Sequence, residues 1–359
     1  MIETPTLFSP AQLGGLELKN RFVMAPMTRG RAGENAVPSE ISELYYAQRA
    51  SAGLIISEGT PPEPMGQGYL GVPGIYTAEQ VAGWRGVTDA VHAKGAAIFQ
   101  QLMHVGRVSH PSFLNGEQPV SSSSLPVSEG MIFTAAGPQA FVTPRALSCD
   151  EVDATVAAYG RAAQLAMDAG FDGTELHCTS GYLPAQFLLP TINQRTDNWG
   201  GTLEKRARFI LETVDAMAAA QGPGRVGVRI GPMFTFNDAH DPDPRATWDY
   251  LLPALAQRDL AYLHLVNIPC DWDVLGFVRE RWQGILIANG GYDRVRADAD
   301  LASGRADLIS FGKPFLANPD LPDRFARGVP IAAEDPSTFY MGGPKGYIDY
   351  PTLDGGSAS

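Results

Sequence analysis

The sequence has few of the features that mark disulfide scaffolds or metal sites. Its 359 residues include three cysteines, Cys149, Cys178 and Cys270, with no CxxC or metal-ligand spacing. An odd number of thiols without a pairing pattern suits a reducing compartment, and we expect each to be a small buried hydrophobic residue. We therefore expect a cytoplasmic protein without a bound metal.

Long apolar runs and a basic surplus are also missing. No stretch reaches the ~18 apolar residues that a membrane-spanning helix needs, and Met1 to Pro10 does not resemble a signal peptide. The chain has 27 Lys and Arg against 39 Asp and Glu, a net charge of −12, whereas a nucleic-acid binder normally has a basic stripe. These absences argue against nucleic-acid and membrane partners and favour a small-molecule substrate. They leave the oligomeric state open.

The sequence does contain an alternation of short β-rich segments and longer helical patterns. Eight segments predict strands: Phe22–Met27, Gly53–Glu58, Ala96–Gln101, Gly173–His177, Arg225–Ile230, Tyr262–Val266, Gly284–Ala288 and Asp307–Phe311. Eight β/α units in series predict an α/β fold, a (β/α)8 TIM barrel, as one domain over residues 1–359. A doubly wound open sheet is the main alternative, but the first strand is not followed by a glycine-rich dinucleotide turn.

Helical patterns separate these strands. Capping boxes at Thr77/Gln80 and Ser148/Glu151 predict where two of the helices begin. The other predicted helices follow from apolar periodicity and cover Ser39–Ala50, Leu203–Ala219, Trp248–Gln257, Val274–Trp282, Tyr292–Leu301 and Pro322–Arg327.

Two segments add to the plain barrel. Leu13–Leu18 alternates about a Gly-Gly turn and predicts a hairpin that closes the barrel bottom. Residues 103–147 form a long connection with five prolines between the third strand and its helix. Connections beyond ~15 residues in a compact domain are usually functional or disordered. Because this one leaves the carboxyl end of a strand, we predict a lid over the site; a disordered surface insert is the alternative.

The carboxyl ends of barrel strands carry the catalytic groups of such enzymes. Here polar groups and glycines follow several strands: Thr28, Gly59, Gln101, His177, Arg229, Asn267, Asn289, Gly290, Gly291, Gly312 and Lys313. The glycines and Lys313 follow strands seven and eight, where barrels often bind a ligand phosphate through backbone N–H groups. Tight turns without a ligand are the alternative for these glycines.

The fourth strand gives the sharpest pattern. Gly173, Glu175 and His177 share one face because side chains alternate along a strand, so His177 is expected at the top rim with Glu175 below it. His177 is followed by the hydroxyl of Ser180 and the phenol of Tyr182. Such a group could bind a carbonyl oxygen and supply a proton. A structural role for His177 is equally open on this evidence alone.

Seven segments occur in the order found in one known family: Asn20–Arg29, Tyr45–Ala50, Gly53–Thr60, Gln101–Arg107, Gly170–His177, Asn193–Asp197 and Asp349–Pro351. From about Leu7 to Leu353 the chain resembles the old yellow enzyme family, and the ordered set is far more specific than any one motif. The resemblance implies non-covalently bound FMN, reduction by NADPH or NADH, and transfer of hydride to the activated C=C bond of an α,β-unsaturated carbonyl compound.

The resemblance also implies which residues meet the cofactor. They are Pro26, Met27, Thr28, Gly59, Gln101, His177, Arg229, Gly290, Gly291, Gly312 and Lys313. Thr28 and Gln101 would hydrogen-bond the flavin, and Arg229 would lie near the part of the ring that becomes negative on reduction. The last four residues match the phosphate cradle. Lys313 is a departure, because many members carry Arg, and Lys keeps the charge without the bidentate fork.

For substrate, the resemblance implies that His177 binds the carbonyl oxygen and Tyr182 donates the proton. The family's second carbonyl donor, usually Asn or His, is here Ser180, whose hydroxyl has a shorter reach. Tyr340 matches an aromatic residue of the substrate pocket. Met103 stands where many relatives carry Trp, which predicts a roomier pocket.

Three other functions stay possible on this evidence. A specialised family member could isomerise or desaturate a larger biosynthetic substrate. A phosphate-binding barrel could be an aldolase or isomerase without flavin, and a flavin-binding protein could lack turnover. The sequence decides neither the physiological substrate nor the choice between NADPH and NADH.

Overall fold

A computed structural model describes residues 4–354 of the chain. Its centre is a closed barrel of eight parallel strands, so the predicted (β/α)8 barrel is confirmed. The strands of the described residues are β1 (Ala11–Leu13), β2 (Leu16–Leu18), β3 (Phe22–Met24), β4 (Leu54–Ile56), β5 (Ala97–Leu102), β6 (Val120–Ser121), β7 (Ile132–Thr134), β8 (Gly137–Gln139), β9 (Arg145–Ala146), β10 (Gly173–Cys178), β11 (Val226–Ile230), β12 (Tyr262–Val266), β13 (Leu286–Asn289) and β14 (Leu308–Phe311). The barrel strands follow one another in the order β10-β11-β12-β13-β14-β3-β4-β5.

Helices surround the barrel and bury their apolar faces against it. Those of the described residues are α1 (Glu40–Gln48), α2 (Ala78–His92), α3 (Cys149–Asp168), α4 (Leu183–Leu188), α5 (Leu203–Gln221), α6 (Pro244–Ala256), α7 (Val274–Arg281), α8 (Arg294–Ala302), α9 (Lys313–Ala317) and α10 (Leu321–Arg327). Both predicted capping boxes are present, at the starts of α2 and α3. The short helices α4 and α9 had not been predicted.

Several boundaries differ from the predictions for identifiable reasons. The first barrel strand ends at Met24 rather than Met27, because Pro26 has no N–H to continue a strand ladder. Helix α6 begins at Pro244 and not at Trp248, since the side chain of Asp243 caps it by accepting from the backbone N–H of Ala246.

The predicted hairpin closes the bottom of the barrel. Strands β1 and β2 pair antiparallel about Gly14 and Gly15, and Gly14 has a positive φ of 57° that favours glycine. Leu13 and Leu18 pack into one apolar cluster with inward-facing residues of the barrel strands such as Phe99. This cluster fills the lower part of the barrel with apolar side chains.

The long insertion after β5 is folded and lies beside the top of the barrel. Its β7 and β8 form a hairpin, while β6 pairs with β9. Val105, Val108 and Val127 form a small apolar cluster with Tyr182. Arg107 donates to the backbone carbonyl of Asn237 at 3.0 Å. The insertion thus borders the site and links it to the loop after β11.

The expectation of three buried thiols was wrong for two of them. Cys178 is buried at the end of β10, whereas Cys149 and Cys270 are exposed, and all three are free. Cys149 begins α3 and Cys270 lies in the loop after β12, both outside the packed interior. In the part of the chain that the structure describes, no helix has the length and apolar character to span a membrane.

Candidate active site

A cavity of about 380 Å³ opens at the carboxyl ends of the barrel strands. It brings together most of the residues predicted from the sequence. It is lined by Pro26, Met27, Thr28, Gln101, Met103, His177, Ser180, Tyr182, Arg229, Phe234, Phe236, Val266, Asn289, Lys313, Leu316, Phe339 and Tyr340.

Four predicted glycines lie beside this cavity rather than in its lining. A Cβ at Gly59 would lie 2.6 Å from Sδ of Met103, so glycine leaves room for that side chain. Gly290 has φ of 132°, and a Cβ there would collide with the carbonyl oxygen of Asn267. Gly291 is separated from the lining residue Asn289 by Gly290 alone, and Gly312 directly precedes the lining residue Lys313.

A buried polar network forms the floor. One carboxylate oxygen of Glu175 accepts from Nε2 of Gln101 at 2.7 Å, and the other lies 2.8 Å from Nδ1 of His264. Nε2 of His264 is 2.7 Å from the hydroxyl of Ser310. Nη1 of Arg229 lies 3.0 Å from Nε2 of His264. Register places these residues on neighbouring strands, with Glu175 beside Gln101 and Arg229 beside His264.

Charge in this network is balanced within the barrel. Burial alone would raise the pKa of Glu175, but His264 and Arg229 lower it, so Glu175 is a carboxylate. Burial, and then the positive charge of Arg229, lower the pKa of His264 to about 4. The floor therefore holds one anion and one cation at neutral pH, with a neutral imidazole between them.

His177 stands above this floor as a neutral hydrogen-bond donor. Burial and the charge of Arg229 lower the pKa of His177 to about 3. The backbone N–H of Thr179 donates to Nδ1 of His177 at 3.3 Å. A neutral imidazole that accepts at Nδ1 carries its proton on Nε2. His177 can thus donate a hydrogen bond from Nε2 to a ligand oxygen in the cavity.

Tyr182 packs against His177, with ring centroids 4.9 Å apart and planes at 83°. Its hydroxyl lies 2.9 Å from the hydroxyl of Tyr69. Burial raises the pKa of Tyr182 to about 12, although the hydrogen bond with Tyr69 opposes the rise. Sequence reasoning missed Tyr69, because it lies in the connection after β4 with no motif to single it out.

Ser180 lines the cavity, as predicted, in an unusual backbone conformation. Its φ of 61° lies in the left-handed region, where residues other than glycine are uncommon and Asn is enriched. Nδ2 of Asn237 donates to its carbonyl oxygen at 2.9 Å. The strained conformation therefore depends on the loop after β11.

Aromatic side chains that the sequence pattern did not single out form much of the cavity mouth. Phe234 and Phe236 come from the loop after β11, and Phe339 precedes the predicted Tyr340. Phe236 and Tyr340 are 56% and 64% exposed, which leaves an apolar rim open to solvent. Among the described residues of the predicted lid, Met103 lines the cavity. The four aromatic residues therefore form more of the cavity mouth than the insertion does.

Comparison with known proteins identifies the family. A model of the NADH:flavin oxidoreductase / NADH oxidase family matches residues 6–331. The chain belongs to this family. It is similar to 12-oxophytodienoate reductase 1 of Oryza sativa subsp. japonica, with 42% identity over 364 residues that cover 97% of this chain and 93% of the relative.

Solved structures agree with this family. The structure of morphinone reductase in complex with tetrahydroNAD is 48% identical, with a TM-score of 0.94 and coverage of 98% of each chain. An old yellow enzyme homologue from Zymomonas mobilis is 39% identical, with a TM-score of 0.94 over 97% of this chain and 100% of the other. The predicted resemblance and the predicted flavin-dependent oxidoreductase activity with a nicotinamide reductant are thereby confirmed.

The donors around the cavity fit FMN. The amide of Gln101 and the guanidinium of Arg229 are held by the buried network, and the hydroxyl of Thr28 faces the same space. These groups match the alternating acceptors and donors of a flavin edge. Lys313 is 67% exposed and lies 3.5 Å from Glu334, so a phosphate at the rim could reach its cation by displacing that carboxylate.

Proposed function

We propose that this enzyme uses FMN and NADPH or NADH to reduce the C=C bond of α,β-unsaturated carbonyl compounds, with His177, Ser180 and Tyr182 as the substrate-side residues. One observation carries the proposal. The neutral donor Nε2 of His177 and the phenol of Tyr182 line the same cavity as the flavin-type donors Gln101 and Arg229. A carbonyl-polarising group and a proton donor thus share one space with the cofactor site.

Bound FMN would supply the exchange of hydride between the nicotinamide and the substrate. His177 would donate to the carbonyl oxygen and draw electron density from the C=C bond. Because its imidazole is neutral, it polarises the carbonyl without giving up a proton. Tyr182 would donate its phenolic proton to the carbon next to the carbonyl, and its high pKa keeps it protonated until that step.

On the cofactor side, Thr28, Gln101 and Arg229 would hold the flavin ring, and Lys313 would bind the phosphate with backbone N–H groups near Gly290, Gly291 and Gly312. Pro26 and Met27 would pack against the ring, because both line the cavity beside Thr28. Arg229 would favour the reduced flavin by placing a cation beside developing negative charge.

The test is an anaerobic stopped-flow experiment on the purified holoenzyme. The protein should be yellow and should release FMN on denaturation. NADPH or NADH should bleach the flavin, and cyclohexenone should restore its colour. A protein that neither contains nor binds FMN would contradict the proposal. Flavin that is reduced but not reoxidised by any enone would favour the isomerase or desaturase alternative.

Tyr182→Phe separates the two half-reactions. It should leave flavin reduction by the nicotinamide nearly unchanged and slow reoxidation by enones that need protonation of the α-carbon. Equal losses in both half-reactions would indicate a structural role for Tyr182. Tyr250→Phe, on the outer helix α6, makes the same chemical change away from the cavity and serves as the matched control.

We further infer a cytoplasmic location and a small-molecule substrate as the main partner. The support is chemical: three free thiols, two of them exposed, suit a reducing compartment. Cell fractionation with an antibody against the chain would test the location.

A further inference from the structure

Tyr69 and Tyr182 form an isolated pair of phenols at the edge of the cavity. Their hydroxyl oxygens are 2.9 Å apart and the rings meet edge to face, with centroids 6.3 Å apart. Tyr182 lines the cavity and is 8% exposed. Tyr69 is outside the cavity lining and is half-buried. Tyr69 therefore contacts the proton donor from outside the set of residues that line the cavity.

The direction of this hydrogen bond decides whether Tyr182 can act as an acid. Each phenol has a single proton. If Tyr182 donated to Tyr69, its proton would point away from the cavity. If Tyr69 donates to Tyr182, the proton of Tyr182 is free to point into the cavity, and the oxygen left after proton transfer keeps a hydrogen-bond donor. The second arrangement favours reduction of an enone.

We propose that Tyr69 is a positioning and relay residue that donates a hydrogen bond to Tyr182 and replaces the proton that Tyr182 gives to the substrate. This inference rests on the proposed function. In the step, the O–H bond of Tyr182 breaks as a C–H bond forms at the α-carbon. In the same step the O–H bond of Tyr69 breaks as Tyr182 regains a proton from it, and Tyr69 afterwards takes a proton from solvent water.

Electrostatics and exposure are consistent with this order. Burial raises the pKa of both phenols, but the hydrogen bond between them acts to lower that of Tyr182 and to raise that of Tyr69. The phenolate therefore forms more readily on Tyr182 than a lone buried phenol would allow. Tyr69 keeps part of its surface accessible, so it can exchange a proton with water.

Tyr69→Phe tests the proposal because it removes one oxygen and keeps the packed ring. In the holoenzyme, flavin reduction by NADPH or NADH should change less than about twofold. Reoxidation by cyclohexenone should slow by about tenfold or more, the loss expected for one donor to a developing charge. In mixtures of H2O and D2O, the rate of this step should depend on deuterium fraction along a curve in the parent enzyme and along a line in Tyr69→Phe, because one transferring proton is lost.

Tyr76 lies in the same connecting segment, outside the cavity lining, so Tyr76→Phe is the matched control. It should leave both half-reactions and the curved dependence on deuterium fraction unchanged. An unchanged rate and curve in Tyr69→Phe would overturn the proposal. A faster reaction would also overturn it, since Tyr69 would then have been holding the proton of Tyr182 away from the substrate.

A second measurement does not depend on enone turnover. Tyrosine ionisation is followed by ultraviolet absorbance after rapid pH jumps. The difference between a protein that has Tyr182 and the same protein with Tyr182→Phe gives the ionisation of Tyr182 alone. The pKa of Tyr182 should be higher in the Tyr69→Phe background, because its phenolate has lost a donor. A pKa that stays or falls would overturn the role of Tyr69. If this shift is found but no enone reoxidises the flavin, the proposed function fails while the hydrogen-bond direction stands.

Discussion

The backbone N–H of Thr179 donates to Nδ1 of His177 at 3.3 Å, and this contact fixes the proton of the neutral imidazole on Nε2. The turn after β10 thus sets the tautomer of the residue that faces the cavity. Since Thr179 lies two residues beyond His177, the contact is local in sequence. It exists only because the chain leaves the barrel strand at Cys178.

The pH dependence of stability should report the buried state of His177. Its pKa is about 3 in the folded protein, against an ordinary value of 6.5 for histidine. The unfolded chain therefore binds this proton more readily, and the free energy of unfolding should fall as the pH drops from about 6.5 towards 3. Above that window the contribution is constant. Urea unfolding at a series of pH values should show a shallower fall in His177→Gln, while the exposed His240→Gln should match the parent.

Ser180→Asn should increase activity on small enones. The φ of 61° at Ser180 suits Asn, so the backbone should accept the change with a stability shift below about 1 kcal/mol. The longer amide reaches further into the cavity as a second donor to the carbonyl. We expect kcat/KM for cyclohexenone to rise about tenfold, an effect of about 1.4 kcal/mol. Ser180→Ala is the control, and its kcat/KM for cyclohexenone should not rise. Lower stability without faster turnover in Ser180→Asn would mean that the side chain at position 180 does not hydrogen-bond the substrate carbonyl.

Arg31→Lys should loosen the segment that carries Phe339 and Tyr340. Nη2 of Arg31 donates to the carbonyl of Thr338 at 2.8 Å, and its Nε donates to that of Gly343 at 3.1 Å. Lys lacks the planar fork that makes both bonds. We expect a loss of about 2 kcal/mol in stability and a several-fold higher KM for bulky enones, with flavin reduction less affected.

Hydrogen exchange followed by mass spectrometry should show faster exchange at residues 338–346 in Arg31→Lys. The surface substitution Arg208→Lys, on a residue paired with Glu212 in α5, should leave that segment unchanged. Equal exchange in both variants would show that other contacts hold the segment.

Glu175→Gln should raise the reduction potential of the bound flavin. The carboxylate of Glu175 is a buried anion within the network that holds Gln101, and it offsets the charge of Arg229. Removing it leaves the charge of Arg229 less compensated, and this favours the negatively charged reduced ring. A rise on the order of tens of millivolts follows from charge interactions at such range. Potentiometric titration would measure it. As a control, Asp215→Asn removes a charge from a surface ion pair with Arg258 and should leave the potential unchanged. A lower potential in Glu175→Gln would mean that misplacement of Gln101 and Arg229 outweighs the loss of the negative charge.

The barrel could be predicted from local sequence patterns, because alternating strands and helices, capping boxes and the Gly-Gly hairpin each depend on residues close together in the chain. The sequence also placed Thr28, Gln101, His177 and Arg229 at strand ends, where parallel strands bring them to one rim. Each of these polar residues directly follows or ends a short apolar segment, so it could be identified without knowing which strands are neighbours.

Which of these groups contact one another could be read only from the folded chain. The carboxylate of Glu175 contacts both Gln101 and His264, which lie 74 and 89 residues away from it along the chain. The pairing of Tyr69 with Tyr182 spans 113 residues. No periodicity records such contacts, since they depend on barrel closure and on where loops return. Hydrogen-bond direction, tautomer and pKa follow from those contacts, so they too required the folded arrangement.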